Sequence, residues 1–299
     1  MQKNKSNDVN AMEDTTKQEK HLYEYSVDPA SRTAGAFVVE LVGTGRRVLE
    51  VGCGPGSITR VLHTARQCRV TGIELDPDAI EKVTPFCEAV IRADLNSPDW
   101  PGLVADKAPF DVVVAADVLE HLYDPWKTLG RMAQLLGPEG FLVISLPHAC
   151  HAAVAACLID GDFQYRDWGL LDRTHIRFFG LANMTTLFER AGLKIVDYRF
   201  VIKPPEETEF AASWARLPAS LRQALGSVPH ADIYQVVIKA VPSDRIGAAL
   251  TLEPPRPKGF ALPTRWKHRI RNGLARRLDP YPRIKNGARH LLRFLGINP

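Results

Sequence analysis

Residues 48–57 read Val48-Leu49-Glu50-Val51-Gly52-Cys53-Gly54-Pro55-Gly56-Ser57. A short apolar, β-branched run breaks into a turn with glycine at every second position. A helical pattern begins directly after it. Glycine lets a backbone turn tightly and come close to a ligand where a Cβ would collide. A glycine turn at the carboxyl end of a first strand is where open α/β sheets bind their ligands. The stretch therefore predicts a parallel, doubly wound sheet with a binding crevice at residues 52–56.

Outward from this turn the pattern repeats. Strands are expected at 47–51, 69–75, 90–93, 110–115 and 141–146, with helices at 57–65, 77–88 and 125–136 between them. The strands are continuous apolar runs such as Val112-Val113-Val114, as in parallel strands covered on both faces. Residues 148–180 have no clear period and read as irregular. A helix at 181–191, a strand at 194–201, a helical segment at 211–225 and a strand at 233–240 complete the pattern. No internal repeat is present.

The glycine spacing selects the ligand class. A dinucleotide fingerprint wants a third glycine at position 57, which is Ser57, and no phosphate-binding Lys follows. The pattern is Glu-x-Gly-x-Gly-x-Gly, which resembles the first motif of class I S-adenosylmethionine-dependent methyltransferases. The resemblance covers about residues 24–241. It implies a Rossmann-like, doubly wound α/β sheet of seven strands, mostly parallel with an antiparallel final strand. It implies S-adenosylmethionine as cofactor, held by Glu50, Gly52, Cys53, Gly54 and Gly56. Glu74, next to Leu75, ends the second strand, where a carboxylate can accept hydrogen bonds from ribose hydroxyls. Asp76 precedes Pro77 and suits a helix cap instead. The resemblance places Asp94, beside Leu95, at the adenine amino group, and Asp117 along the cofactor.

Two further blocks, 145–151 and 169–179, are similar to a bacterial methyltransferase subgroup associated with polysaccharide and O-antigen assembly. That subgroup commonly has Asn where this chain has His148. The core also resembles ubiquinone-type O-methyltransferases. A hydroxyl acceptor must lose a proton, so it needs a base near neutral pKa or a metal. His121, His151 and His175 are the candidate bases, with Asp172 to orient one of them. The expected site holds no metal. As an alternative, Asp117-x-x-Glu120-His121 with His175 is similar to the set that holds a divalent cation in plant small-RNA 2′-O-methyltransferases. The expected activity is O-methylation of a hydroxyl on a glycan or lipid-linked intermediate, with a small, quinone-type acceptor as the alternative. A non-catalytic, cofactor-binding interaction protein is the rival from another class.

Charge divides the chain. Residues 255–299 carry twelve Lys or Arg against the single acid Asp279, +11, so a net charge of +4 leaves −7 for the remainder. Trp266, Ile270 and Leu274 form one apolar stripe among these basic residues, and Ile284, Ala288, Leu291, Leu292 and Leu295 form another. Basic amphipathic helices of this kind suit an anionic membrane surface, or they dock on an acidic body. No nucleic-acid module accompanies them, which disfavours nucleic acid. The expected organisation is a disordered segment 1–21, a methyltransferase domain 22–242, a proline-rich linker 243–262 and a basic tail 263–299. The five scattered cysteines have no metal spacing, and the polar N-terminus has no apolar leader segment. A cytoplasmic protein is expected, peripheral at the inner face of the membrane through its tail. Oligomeric state is left open.

Overall fold

A computed structural model describes residues 24–255; residues 1–23 and 256–299, and with them the expectations for the N-terminal segment and basic tail, lie outside it. Helix α1 (Ala34–Val42) starts where the Thr33 side chain accepts a hydrogen bond from the Ala36 amide. Strand β1 (Arg47–Val51), helix α2 (Ser57–Thr64), β2 (Arg69–Glu74), α3 (Pro77–Val83), β3 (Ala89–Arg92) and β4 (Phe110–Ala116) follow. Then come α4 (Pro125–Gln134), β5 (Leu136–Pro147), α5 (Ala152–Ile159), α6 (Leu181–Arg190) and β6 (Leu193–Ile202). Helices α7 (Ala211–Arg216) and α8 (Ala219–Gly226) and strand β7 (Ile233–Pro242) complete the order. Asp76 does cap α3, accepting from the Asp78 amide, with Pro77 in the first turn.

The seven strands lie in the order β3-β2-β1-β4-β5-β7-β6. Neighbours from β3 to β5 are parallel. Strand β7 runs antiparallel between β5 and β6. The order reverses at β1, whose neighbours are β2 and β4. That reversal opens a crevice beyond the strand ends, because the crossover helices of β1 and β4 leave on opposite faces. Alternate strand residues feed two apolar layers, one around Leu49, Val113 and Ile144, the other around Val48, Val112 and Val143.

Three differences from the sequence reading matter to the site. Residues 148–180 are not wholly irregular: α5 forms there and packs with Leu170, Leu171 and Phe210 as a separate apolar cluster. The single segment expected at 211–225 is two helices, broken at Leu217-Pro218 because proline cannot continue the first one. The expected linker 243–262 begins on the domain itself. The Ser243 amide donates to Gly192 O and the Leu250 amide to Ile195 O, while Leu252 is buried in the main core. Among the described residues no helix is long and apolar enough to cross a membrane.

Candidate active site

The glycine turn closes over the end of β2. The Gly52 and Cys53 amides donate to Ile73 O at 2.8 and 3.1 Å. Gly52, Gly54 and Gly56 all have positive φ, at 65°, 54° and 90°. Their surroundings differ. A Cβ on Gly52 would meet Val118 at 2.7 Å, and one on Gly56 would meet Val83 at 2.8 Å, whereas Gly54 has nothing within 4 Å. Gly52 and Gly56 are thus required by packing. Gly54 alone borders open space, a cradle that a side chain would fill.

Glu74 stands beside this opening. One carboxylate oxygen accepts from the Gly54 amide at 2.8 Å, the other from the Leu75 and Asp76 amides at 2.7 and 3.0 Å. Leu75 is 53% exposed, an apolar surface left bare at the strand end. Glu50 lies buried under the turn and accepts from the Thr59 hydroxyl at 2.7 Å; burial pushes its carboxyl up to about 7. Cys53 is buried, with its sulfur 2.9 Å from where a Gly72 Cβ would stand. Asp94 is exposed and accepts from the Asn96 amide at 2.8 Å, a turn of its own, while Leu95 is buried.

Tyr25 is a site residue that the sequence reading missed. Its amide donates to the Ser57 hydroxyl at 3.0 Å, and its ring lies against Gly35. Glu24 pairs with Lys82 at 2.6 Å. Burial, then the charges of Asp117 and Glu50, push the Tyr25 hydroxyl up. The segment is thus tied to α2 and α3 beside the glycine turn. No motif marks it; an aromatic residue just before an apolar helix is ordinary.

At the end of β4, Asp117 holds φ at 55°, rare for a non-glycine residue. Its carboxylate accepts from Ser145 Oγ at 2.8 Å and from Gln235 Nε2 at 2.9 and 3.0 Å. A 3-10 turn, Leu119–His121, follows. Glu120 in this turn is 0% exposed, and neither carboxylate oxygen has a hydrogen-bond partner. Burial, and next the Asp117 charge, hold its carboxyl well above the usual range. The Ile176 and Arg177 amides donate to the Glu120 carbonyl at 2.9 and 3.0 Å, fastening loop 172–177 to the turn.

That fastening brings His121 and His175 together, with ring centroids 4.7 Å apart. The Thr174 hydroxyl donates to Asp172 at 2.7 Å, so it must accept at its 3.0 Å contact with His121 Nδ1. The proton is then on Nδ1, and Nε2 keeps a free lone pair. The Asp172 carboxylate is linked to His121 through the Thr174 hydroxyl. His175 Nε2 is 3.8 Å from Glu120, and its Nδ1 is buried without a partner. Burial and the neighbouring His121 push the His175 imidazole down to about 4.

His151 does not join this group. Its Nδ1 accepts from the Ala153 amide at 3.1 Å as the cap of α5, which leaves the proton on Nε2, directed at Lys203 O at 2.8 Å. Both nitrogens are occupied, so His151 is a structural residue and not a base. His148 Nδ1 likewise contacts Ile233 O at 3.1 Å. Phe178 is exposed with its ring centroid 6.4 Å from that of His175, and Tyr123 and Ile176, close in sequence to the two histidines, are exposed as well.

A doubly wound sheet with an open glycine cradle and a carboxylate at the second strand end defines a Rossmann-like domain. Residues 24–198 match the model of the methyltransferase domain, and the chain belongs to that family; its expected cofactor is S-adenosylmethionine. It is similar to the ubiquinone biosynthesis O-methyltransferase of Xylella fastidiosa, 31% identical over 157 residues, 52% of this chain. That match spans 63% of the relative's length. The protein of the same name from Coxiella burnetii is 24% identical over 170 residues, 56% of this chain and 72% of the relative. The magnesium protoporphyrin IX methyltransferase of Synechocystis PCC 6803, solved with bound S-adenosylhomocysteine, shares the fold. Its TM-score is 0.50 at 15% identity, covering 79% of this chain and 96% of that one.

Proposed function

We propose that the protein transfers the methyl group of S-adenosylmethionine to a hydroxyl oxygen of an acceptor with a large apolar part. The observation that carries this reading is the group Glu120, His121 and His175, each with a nitrogen or oxygen within 4.8 Å of the others, beside the exposed Phe178 ring. Within this group His121 Nε2 keeps a lone pair, so the group suits a substrate that brings a proton, as a hydroxyl does. The name shared by the Xylella and Coxiella relatives supports oxygen over nitrogen.

Gly54 and Glu74 would hold the cofactor, which fits the open flank of the turn. When bound, it supplies an electrophilic methyl group on a sulfonium. Leu75 offers the adenine an apolar face. The hydroxyl proton leaves on the side of the Glu120 cluster while the acceptor oxygen is aligned for in-line attack. Alignment alone can contribute about 7–11 kcal/mol. The exposed apolar side chains of Tyr123, Ile176 and Phe178 support an aromatic or lipid-linked acceptor; a glycan is the second acceptor reading. We also propose that the basic stretch of residues 255–299 carries the enzyme to an anionic membrane surface.

The test is incubation of the full-length protein with methyl-labelled S-adenosylmethionine and a cell extract. Label in an alkali-stable ether that partitions into organic solvent is expected. Label confined to water-soluble saccharide moves the acceptor to a glycan. Binding of S-adenosylhomocysteine without any turnover would leave the non-catalytic interaction protein.

A further inference from the structure

Lys203 follows directly on β6, and its backbone is pinned twice. Its amide donates to Asp232 O at 2.8 Å, and its carbonyl accepts from His151 Nε2 at 2.8 Å. The side chain is held by rings. The ammonium stands 4.7 Å from the centre of the Tyr234 ring and 5.9 Å from that of Trp168. Attraction to a ring face leaves the three N–H donors of a lysine unspent. Among the described residues no carboxylate forms a salt bridge with it. Glu209, the acid beside Tyr234, accepts instead from the Tyr234 hydroxyl at 3.0 Å and the Leu170 amide at 2.7 Å.

The sheet register places this lysine on the acceptor side. Gln235 of β7 pairs with Pro147 of β5 and with Val201 of β6. Lys203 lies two residues beyond Val201, and Tyr234 one residue before Gln235. The Gln235 amide group holds the Asp117 carboxylate at 2.9 and 3.0 Å. Lys203 and its rings therefore share the sheet edge at which β4 ends. The glycine turn, after β1, stands on the other side of β4 from them.

We propose that Lys203, seated on Tyr234 and Trp168, binds a phosphate group carried by the methyl acceptor. A compact ammonium with three free donors suits a tetrahedral oxyanion, whereas a carboxylate is matched best by the planar fork of an arginine. Trp168 is 47% exposed, so an organic chain joined to the phosphate has an apolar face to lie on. Lys203 holds the acceptor by charge and takes no part in the transfer itself. That the phosphate belongs to the acceptor rests on the O-methyl transfer proposed above; the phosphate site does not.

The test is calorimetry of the full-length protein, with and without S-adenosylhomocysteine, using geranyl phosphate, geraniol and inorganic phosphate. Geranyl phosphate should bind at least tenfold more tightly than either of the others. Lys203→Gln should weaken geranyl phosphate at least tenfold and leave geraniol and S-adenosylhomocysteine within twofold, which also shows that it folds. Lys203→Arg restores the charge and should keep most of the affinity. Any binding of phosphate to the basic residues 255–299 is common to all three proteins and drops out of the comparison. Inorganic phosphate that binds as tightly as the ester, and loses that affinity in Lys203→Gln, moves the site from the acceptor to free phosphate. Unaltered protein that binds geranyl phosphate no better than geraniol overturns the site, as does undiminished binding by Lys203→Gln. Lys203-dependent binding of the ester by a protein that does not bind S-adenosylhomocysteine would keep the site and remove the methyltransferase reading.

Discussion

Gly52, Gly54 and Gly56 share a motif and a left-handed backbone, yet they do different work. Gly56 yields space to Val83, and Gly54 yields it to nothing in the protein. A side chain at either position strains the backbone by about 1–2 kcal/mol, so strain alone cannot separate them. Gly54→Ala should keep most of its stability and bind S-adenosylhomocysteine at least tenfold more weakly in calorimetry. Gly56→Ala should instead lower the melting temperature further, since its methyl overlaps Val83 in a packed layer and overpacking adds about 1–3 kcal/mol. Undiminished binding by Gly54→Ala would mean that the cofactor does not pass this residue. The motif in the sequence names all three glycines alike. Which one faces the crevice depends on α3 and on the residues after β4, and spacing within the turn carries no record of them.

Among the elements, the parallel half was legible because each strand is buried on both faces and reads as an apolar run. The expected strand at 47–51 and the observed Arg47–Val51 coincide. Helix α5 escaped notice because Ala-Ala-Val-Ala-Ala-Cys-Leu-Ile is apolar on nearly every side and has no amphipathic period. Its cap explains why a histidine in this region need not be catalytic. His151→Ala removes the cap of α5 and the bond to Lys203 O, and should cost about 1–2 kcal/mol. For a domain of this size that is a fall of roughly 2–8 °C in melting temperature. Methyl-transfer rate at a temperature below the melt should be unchanged, and a large loss of kcat there would return His151 to the catalytic group. The pairing of His121 with His175 was open in the sequence for a different reason. It depends on loop 172–177 hydrogen-bonding to Glu120, a contact between residues more than fifty positions apart.

For the whole molecule, the described residues 24–255 contain a seven-stranded sheet, the glycine turn with Glu74 and the Glu120 cluster. A protein ending at residue 255 should therefore bind S-adenosylhomocysteine with unchanged affinity. It should lose sedimentation with anionic liposomes, and raised salt should release the full-length protein from them, because exposed charges are screened beyond about 8 Å at physiological ionic strength. Liposome binding that survives truncation would remove the membrane role of the tail. The sheet order has a consequence for synthesis as well. Asp117, at the mouth of the crevice, is held by Gln235, 118 residues later in the chain, and the His148 amide donates to Tyr234 O. All five parallel strands have left the ribosome by Pro147, but a nascent chain ending before Ile233 has no strand to hold Asp117 from behind. The first-made half can assemble its nucleotide crevice early, and the reactive end waits for the last strand to be translated and inserted between β5 and β6.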